Sequence, residues 1–178
     1  MDEEMTSHDG DVIGFIGGGM MAAAMMAGMT ERWGMVPTRI HVSDHKEARC
    51  RYLRERYGVL AEVGAARFIG HADVVILAVK PSAAVEAIGE IAGRMKEGAV
   101  LVSIVAGLSL AELETVFPAR PIVRVMPNTP LAVGEGMSAY ALNGWAERAD
   151  VSFVSELLSS SGRAVEVKEE WMDAVTGL

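Results

Sequence analysis

The residues whose types and spacing most clearly suggest chemistry are three consecutive glycines near the N-terminus, Gly17, Gly18 and Gly19. They follow a short apolar run and precede a long apolar stretch, and with Ala22 they form a G-x-G-x-x-A turn between a predicted strand and a predicted helix. In a dinucleotide-binding turn, Gly17 would allow the tight bend and Gly19 would let the backbone approach a pyrophosphate. Backbone N–H groups at the helix N-terminus would then meet the anion. Because glycines also occur in ordinary turns, the prediction of a dinucleotide-binding turn rests on the strand before them and the helix after them.

A second group of polar residues stands where the second predicted strand ends. In a dinucleotide-binding fold, the residue at this point reads the adenosine ribose. Asp44 could accept hydrogen bonds from both ribose hydroxyls of NAD, whereas Ser43, His45 and Lys46 could hold the 2′-phosphate of NADP. The residues alone leave both cofactors open. Ser43 or Asp44 could also cap the helix that follows.

Short apolar runs alternate with helical patterns along the chain, which is typical of βαβ units. We predict strands over 12–16, 39–43, 59–62, 74–79, 101–105, 122–126, 137–141 and 164–167. Helices are expected over 20–33, 46–57, 82–93 and 145–160, with a short one ending at Gly70, one capped by Ser109 and Glu112, and a last one from 169. The predicted fold class is therefore α/β, a Rossmann-type doubly wound, mostly parallel sheet with helices on both faces.

Composition excludes several functional classes. The chain has 178 residues and a formal net charge of −8, and it has no basic run, so neither a nucleic acid nor a membrane is an expected partner. The single cysteine, Cys50, favours a reducing compartment, and the polar first ten residues do not resemble a signal peptide, so a cytoplasmic location is predicted. The four histidines are scattered without metal-ligand spacing, so no metal is expected.

Several further motifs follow the glycine turn, and together with it they make the chain resemble pyrroline-5-carboxylate reductase. They cover nearly everything after the N-terminal tail and lie at 72–81, 102–107, 124–130, 134–136, 157–162 and 172–178. The resemblance implies the last step of proline synthesis, in which a hydride passes from NAD(P)H to the C=N bond of 1-pyrroline-5-carboxylate. It implies NADP as cofactor, with NAD as the alternative, and pyrroline-5-carboxylate and proline as substrate and product.

The resemblance also implies a set of cofactor-binding residues. Ile16, Gly17, Gly18, Gly19, Met20 and Met21 would line the pyrophosphate, and Ser43 would lie by the 2′-phosphate, next to Asp44 and His45. Ala78, Val79, Lys80 and Pro81 would form a loop along the cofactor, and Ala106, Gly107 and Asn128 would lie near the nicotinamide. Lys80 is interpreted as a solvated loop residue rather than a catalytic one. Asp73 and Arg124 are interpreted as structural, a turn residue and a charge at a sheet end.

Some features depart from the family pattern. Met20 stands where a polar residue is common, and Ala65 stands where Asn is common beside the adenosine. Both would weaken cofactor binding.

The family continues beyond this sequence into a helical dimerisation domain that supplies most of the substrate site. The catalytic residues are therefore not assigned, and a homo-oligomer, usual for the family, is doubtful. The expected organisation is a flexible tail at 1–10, an NAD(P)-binding domain at 11–168 and the start of a helical domain at 169–178.

Two further functions stay open beside the reductase. One is a cofactor-binding module that binds NAD(P) without catalysis, and the other is a relative of the deazaflavin-dependent NADP reductases. The motifs at 124–130 and 172–178 favour pyrroline-5-carboxylate reductase over the second. If the final helix has nothing to pack against, Ala174, Val175 and Leu178 should form an exposed apolar face.

Overall fold

The described part of the chain forms eight strands and six α-helices, most strands being followed by a helix. The structure is a computed structural model, and it describes residues 10–64, 67–128, 130–131 and 134–176. The strands are β1 (Ile13–Ile16), β2 (Ile40–Asp44), β3 (Leu60–Val63), β4 (Val74–Leu77), β5 (Val100–Ser103), β6 (Ile122–Pro127), β7 (Gly136–Leu142) and β8 (Gly162–Glu166). The helices are α1 (Met20–Ala27), α2 (Glu47–Tyr57), α3 (Ala84–Ile91), α4 (Leu110–Val116), α5 (Arg148–Ser159) and α6 (Met172–Thr176).

The strands form one sheet in the order β3-β2-β1-β4-β5-β6-β7-β8. All neighbours are parallel except β6 and β7, which run antiparallel. Every residue of β1, β4 and β5 is buried, as expected of parallel strands that are covered on both faces. The predicted α/β fold with a mostly parallel, doubly wound sheet is confirmed.

Two apolar cores lie on the two faces of this sheet. One joins the sheet to α1, α2 and α5, and the other joins it to α3, α4 and α6. The alanine-rich α1 lies in the first core, and Ala22 is fully buried, which permits the close helix-to-strand approach expected of the turn. Within the described residues, no helix is both long and apolar enough to cross a membrane.

The first helix differs from the prediction of one α-helix over 20–33. It is α-helical only to Ala27 and continues as a π-helix over Gly28–Arg32, in which the Trp33 N–H donates to the Gly28 carbonyl. A Cβ on Gly28 would lie 1.9 Å from Ser161 Oγ, so the helix touches the chain between α5 and β8 at this point. Because the two residues are 133 positions apart, this contact cannot be predicted from the helical periodicity of the sequence.

Two other predicted elements also differ. The short helix expected before Gly70 is absent from described residues 67–70, which form turns. The Phe68 ring instead packs against Gly14, where an added Cβ would lie 2.4 Å from a ring carbon. Helix α5 begins at Arg148 rather than at 145, because Glu147 and Asp150 form a capping box. The predicted capping box of Ser109 and Glu112 is confirmed.

Asp73 and Arg124 both have structural partners, as expected. Asp73 accepts a hydrogen bond from the Val12 N–H at 2.8 Å and pairs with Lys96. Arg124 lies inside β6 rather than at a sheet end, is 2% exposed, and pairs with Asp173 at 2.7 Å and with Glu169 at 3.2 Å. It therefore ties the last described helix to the sheet.

The C-terminal segment is partly described. Met172 is fully buried in the second core, whereas Ala174 is exposed, as predicted. The described residues leave out the side chain of Val175, the whole of Leu178, Ala65, and residues 1–9 of the tail expected at 1–10.

Candidate functional site

The glycine turn lies at the edge of the sheet where the parallel strands end. The residues predicted to bind the cofactor follow the carboxyl ends of five strands, β1, β2, β4, β5 and β6. Open α/β sheets bind ligands at this edge. The topology therefore places all the predicted segments at one edge, although they are separated by up to about a hundred residues of sequence.

Each of the three glycines of the turn has a distinct geometry. Gly17 has φ +96°, and a Cβ there would lie 2.5 Å from the Ala78 carbonyl oxygen, so only glycine fits. A Cβ on Gly18 would lie 2.6 Å from a methyl carbon of Leu53. Gly19 differs from both, because it has an ordinary φ of −66° and a Cβ there would meet no atom within 4 Å. Gly19 thus leaves open space directly before helix α1.

The turn is held in place by hydrogen bonds to β2 and α2. The Gly17 N–H donates to the Ser43 carbonyl at 2.8 Å, and the Gly18 N–H donates to Asp44 Oδ2 at 2.9 Å. From α2, Arg49 Nη2 donates to the Gly19 carbonyl at 3.0 Å, and its Nε donates to the Gly18 carbonyl. Arg49 fixes the carbonyl groups on one side of the turn.

Helix α1 begins directly at this turn. Gly19 is its N-cap and offers no side-chain cap, and no acidic residue occupies the first turn. The first N–H groups of a helix have no intrahelical acceptor, and the helix dipole places partial positive charge there. The start of α1 can therefore bind an anion, and the open space at Gly19 allows the anion to approach the backbone.

A cavity of about 350 Å³ adjoins the turn. Six residues that the sequence predicted line it: Ile16, Gly17, Ser43, Asp44, His45 and Val79. The sequence did not predict the other five, which are Gly64, Ala83, Glu86, Ala87 and Glu90. Four of these five, Ala83, Glu86, Ala87 and Glu90, lie at helical spacing along α3 and the residue before it. Alanine and glutamate at such spacing also occur on any solvated helix face, so no sequence signal distinguishes them.

The remaining predicted residues do not line this cavity. Met20 is 84% exposed, and Met21 and Ala78 are half-buried, whereas Lys80, Pro81, Ala106, Gly107 and Asn128 are exposed. The Asn128 side chain has a local partner, since its Oδ1 accepts a hydrogen bond from the Met137 N–H at 2.9 Å. These residues share the carboxyl edge of the sheet but are not gathered around one enclosed space.

The polar groups at the end of β2 are oriented differently from one another. Ser43 is buried, and its Oγ donates to the Gly64 carbonyl. Asp44 Oδ1 accepts from the Lys46 N–H at 3.0 Å, and it lies 3.5 Å from His45 Nδ1. The side chain of His45 is 81% exposed. Asp44 is thus the group at this strand end that touches both the glycine turn and the cavity.

Cys50 lies beneath the site on α2 and takes no chemical part in it. The thiol is fully buried, and burial raises its pKa above the usual value, with the nearby Asp44 carboxylate acting in the same direction. A thiol in this state is a poor nucleophile. In the part of the chain that the structure describes, no group of histidine, cysteine and acidic side chains is arranged to hold a metal ion.

Two further cavities among the described residues lie away from the glycine turn. One of about 220 Å³ is at the opposite edge of the sheet, where Asp73 and Lys96 precede β4 and β5. Another, of about 420 Å³, lies beside β2 and β3, between His41 and Arg67. Neither includes a residue predicted to bind the cofactor, so the space beside the glycine turn is the candidate functional site.

Comparison with known proteins agrees with this geometry. Residues 12–107 match the family described as NADP oxidoreductase, coenzyme F420-dependent, and the match covers more than half of the chain. The chain belongs to this family. The matched segment runs from β1 through the chain that follows β5, and it includes the glycine turn, Asp44 and the cavity lining.

The predicted resemblance is also confirmed. A curated pyrroline-5-carboxylate reductase from Corynebacterium melassecola is 39% identical over 170 residues, which cover 93% of this chain and 63% of that protein. The structure of a pyrroline-5-carboxylate reductase from Coxiella burnetii has a TM-score of 0.89 at 27% identity, covering 94% of this chain and 63% of the other. The pyrroline carboxylate reductase of Plasmodium falciparum, solved with NADP bound, has a TM-score of 0.84 at 27% identity, with coverage of 94% and 62%. The chain spans a little over three fifths of the length of these relatives.

Proposed function

We propose that this chain is the nucleotide-binding part of a pyrroline-5-carboxylate reductase, which transfers a hydride from NAD(P)H to the C=N bond of 1-pyrroline-5-carboxylate. The observation that carries the proposal is the glycine turn, whose geometry fits a dinucleotide, in a chain that matches these reductases over 93% of its length. The proposed domain is 11–168, with 169–178 beginning a further helical region.

The residues present fit a bound dinucleotide. Gly19 leaves the space that a pyrophosphate needs, and the first N–H groups of α1 would donate to it. Arg49 holds the turn in a single conformation, which lowers the entropic cost of binding. The family's description and the Plasmodium falciparum structure both name NADP, which supports NADP as cofactor, with NAD as the alternative.

The chemistry of the step belongs to the cofactor, which supplies the hydride while a proton completes the new amine. The described residues bind and orient rather than exchange protons. Ala78, Val79 and Lys80 follow β4 and pass beside the turn, while Ala106, Gly107 and Asn128 follow β5 and β6 at the same sheet edge. We propose that the first three run along the cofactor and that the last three lie near its nicotinamide end. Catalytic side chains are not assigned.

Two alternatives have specific support. A module that binds NAD(P) without catalysis is consistent with a chain that spans 63% of the curated relative's length. A reductase dependent on coenzyme F420, which is a deazaflavin, is consistent with the family's description. The match to pyrroline-5-carboxylate reductases continues well beyond residue 107, and this favours the reductase of the proposal.

The test has two measurements on the 178-residue chain. Calorimetric titration with NADPH and with NADH measures binding, and loss of reduced-nicotinamide absorbance in the presence of pyrroline-5-carboxylate measures turnover. A parallel assay replaces pyrroline-5-carboxylate with oxidised coenzyme F420. Saturable binding is the expected result, and turnover with pyrroline-5-carboxylate in addition would favour the reductase over the module.

The outcomes separate the alternatives. Binding without turnover on either substrate favours the module, and turnover with coenzyme F420 alone favours the deazaflavin-dependent reductase. If neither dinucleotide binds, the cofactor assignment itself is wrong.

A further inference from the structure

We propose that Asp44 determines cofactor selectivity in this chain, and that its site favours NADH over NADPH, in contrast to the NADP that the family's description and the Plasmodium falciparum structure name. The inference rests on the proposed dinucleotide binding at the glycine turn. Asp44 ends β2, at the point where an acidic residue typically binds the ribose hydroxyls and where a basic residue accommodates a 2′-phosphate.

The position of the Asp44 carboxylate is fixed by two backbone groups. Oδ2 accepts from the Gly18 N–H at 2.9 Å, and Oδ1 accepts from the Lys46 N–H at 3.0 Å. Its side chain is only 10% exposed. A carboxylate oxygen can accept more than one hydrogen bond, so both oxygens retain capacity for ribose hydroxyls. The carboxylate cannot easily turn away from a ligand in the cavity, because doing so would break both bonds.

The cavity beside Asp44 is lined by further negative charge. Glu86 and Glu90, one turn apart on α3, line the same cavity as Asp44. A 2′-phosphate carries a charge of about −1.5 to −2 at neutral pH. Placed here, it would meet carboxylates, and like charges brought close together are unfavourable. The ribose hydroxyls of NADH carry no charge and meet only acceptors.

The neighbouring lysine and arginine side chains lie outside the cavity. Among the described residues that line it, none is a lysine or an arginine. Arg49 already donates through Nε and Nη2 to the carbonyls of Gly18 and Gly19, and Lys46 is exposed outside the cavity lining. The Ser43 hydroxyl, the other candidate for a 2′-phosphate, donates to the Gly64 carbonyl. His45 lines the cavity, but it lies against Asp44 and is mostly exposed.

The expected selectivity is measurable. A single unfavourable charge contact of this kind changes affinity by about tenfold or more. We therefore expect the Kd for NADPH to exceed that for NADH by ~10-fold. Asp44→Asn keeps the size of the side chain and one carbonyl oxygen but removes the charge. It should lower the Kd for NADPH and raise that for NADH, so that the preference is lost or reversed.

The experiment measures the Kd of both dinucleotides for the wild-type chain, Asp44→Asn, Glu86→Gln and the matched control Glu55→Gln. Glu55 is exposed on α2 outside the cavity, so its substitution makes the same change in net charge away from the site. Glu86→Gln should improve NADPH binding without weakening NADH binding, and Glu55→Gln should leave both unchanged. Circular dichroism verifies that each variant is folded.

The results distinguish this inference from the proposed function. If neither cofactor binds the wild-type chain, the proposed function fails first. If NADPH binds as tightly as NADH or more tightly, or if Asp44→Asn and Glu55→Gln change the ratio of the two Kd values equally, Asp44 does not set the selectivity. Should Asp44→Asn unfold, Glu86→Gln alone still tests the charge argument through the NADPH affinity.

Discussion

Replacing Gly19 with alanine should separate cofactor binding from folding. The added Cβ would meet no protein atom within 4 Å, and φ at Gly19 is −66°, which alanine adopts freely. The folding cost is then limited to the weaker preference for alanine at an N-cap, which is no more than about 1 kcal/mol. For a chain of this size, that lowers Tm by about 2–4 °C.

The effect on binding should be much larger. The methyl group would occupy the space through which a pyrophosphate approaches the first N–H groups of α1. Losing one hydrogen bond to a charged group removes roughly 1.5–3 kcal/mol, which raises Kd by about 10- to 100-fold. Because the pyrophosphate is common to both cofactors, the loss should be equal for NADH and NADPH, unlike the effect of Asp44→Asn.

Gly17→Ala provides the matched comparison, because the same methyl group is added two residues away. Gly17 has φ +96°, and its Cβ would lie 2.5 Å from a backbone oxygen. This variant should lose at least about 2 kcal/mol of stability. Calorimetric titration and thermal unfolding of both variants provide the two measurements. The reasoning is refuted if Gly19→Ala binds within about twofold of wild type, or if it is destabilised as much as Gly17→Ala.

Three further predictions concern residues outside the turn. Burial by itself would raise the pKa of Asp73, but hydrogen bonds from Lys96 and the Val12 N–H outweigh it, so its pKa lies below the usual value. The stabilising effect of the Asp73 carboxylate is therefore present above pH ~4 and is lost as the pH falls through its folded-state pKa. Asp73→Asn should lower Tm at pH 7, and the difference in Tm between wild type and variant should become smaller in acid. A difference in Tm that does not change with pH would contradict this. Arg124→Met should lower stability by about 1–2 kcal/mol, since Asp173 is largely exposed and its pairing is screened, and it should speed hydrogen exchange in α6; unchanged exchange there would contradict the clamping role. Cys50, with its pKa raised by burial, should react with a thiol reagent only on unfolding, and rapid labelling of the native chain would show that the reasoning is wrong.

Local patterns in the sequence were sufficient for much of the fold. Apolar runs predicted the eight strands of the described sheet, most directly β1, β4 and β5, because a parallel strand covered on both faces needs apolar residues throughout. The capping box of Ser109 and Glu112 was predicted because its partners are three residues apart. The turn at Gly17 was predicted for a similar reason, since a backbone with φ +96° demands glycine at that position.

Contacts between segments that are distant in the sequence could not be predicted from local patterns. The π-helix at Gly28 depends on a contact with Ser161, and the turns that replace the expected helix before Gly70 accompany the packing of Phe68 on Gly14. The start of α5 is a different case, because the capping box of Glu147 and Asp150 is local and was overlooked.

In the candidate site, too, some features could be predicted from the sequence and others depend on the tertiary structure. The sequence by itself determined the glycine turn and the acidic end of β2, because those residue types are required by the backbone conformation and by the position at a strand end. Only the tertiary structure decided that Arg49 holds the turn and that Glu86 and Glu90 line the cavity with Asp44. Since β1 alone separates β2 from β4 in the sheet, the end of β2 and the α3 segment that follows β4 line the same cavity, and charge repulsion depends on distance in space rather than on separation along the chain.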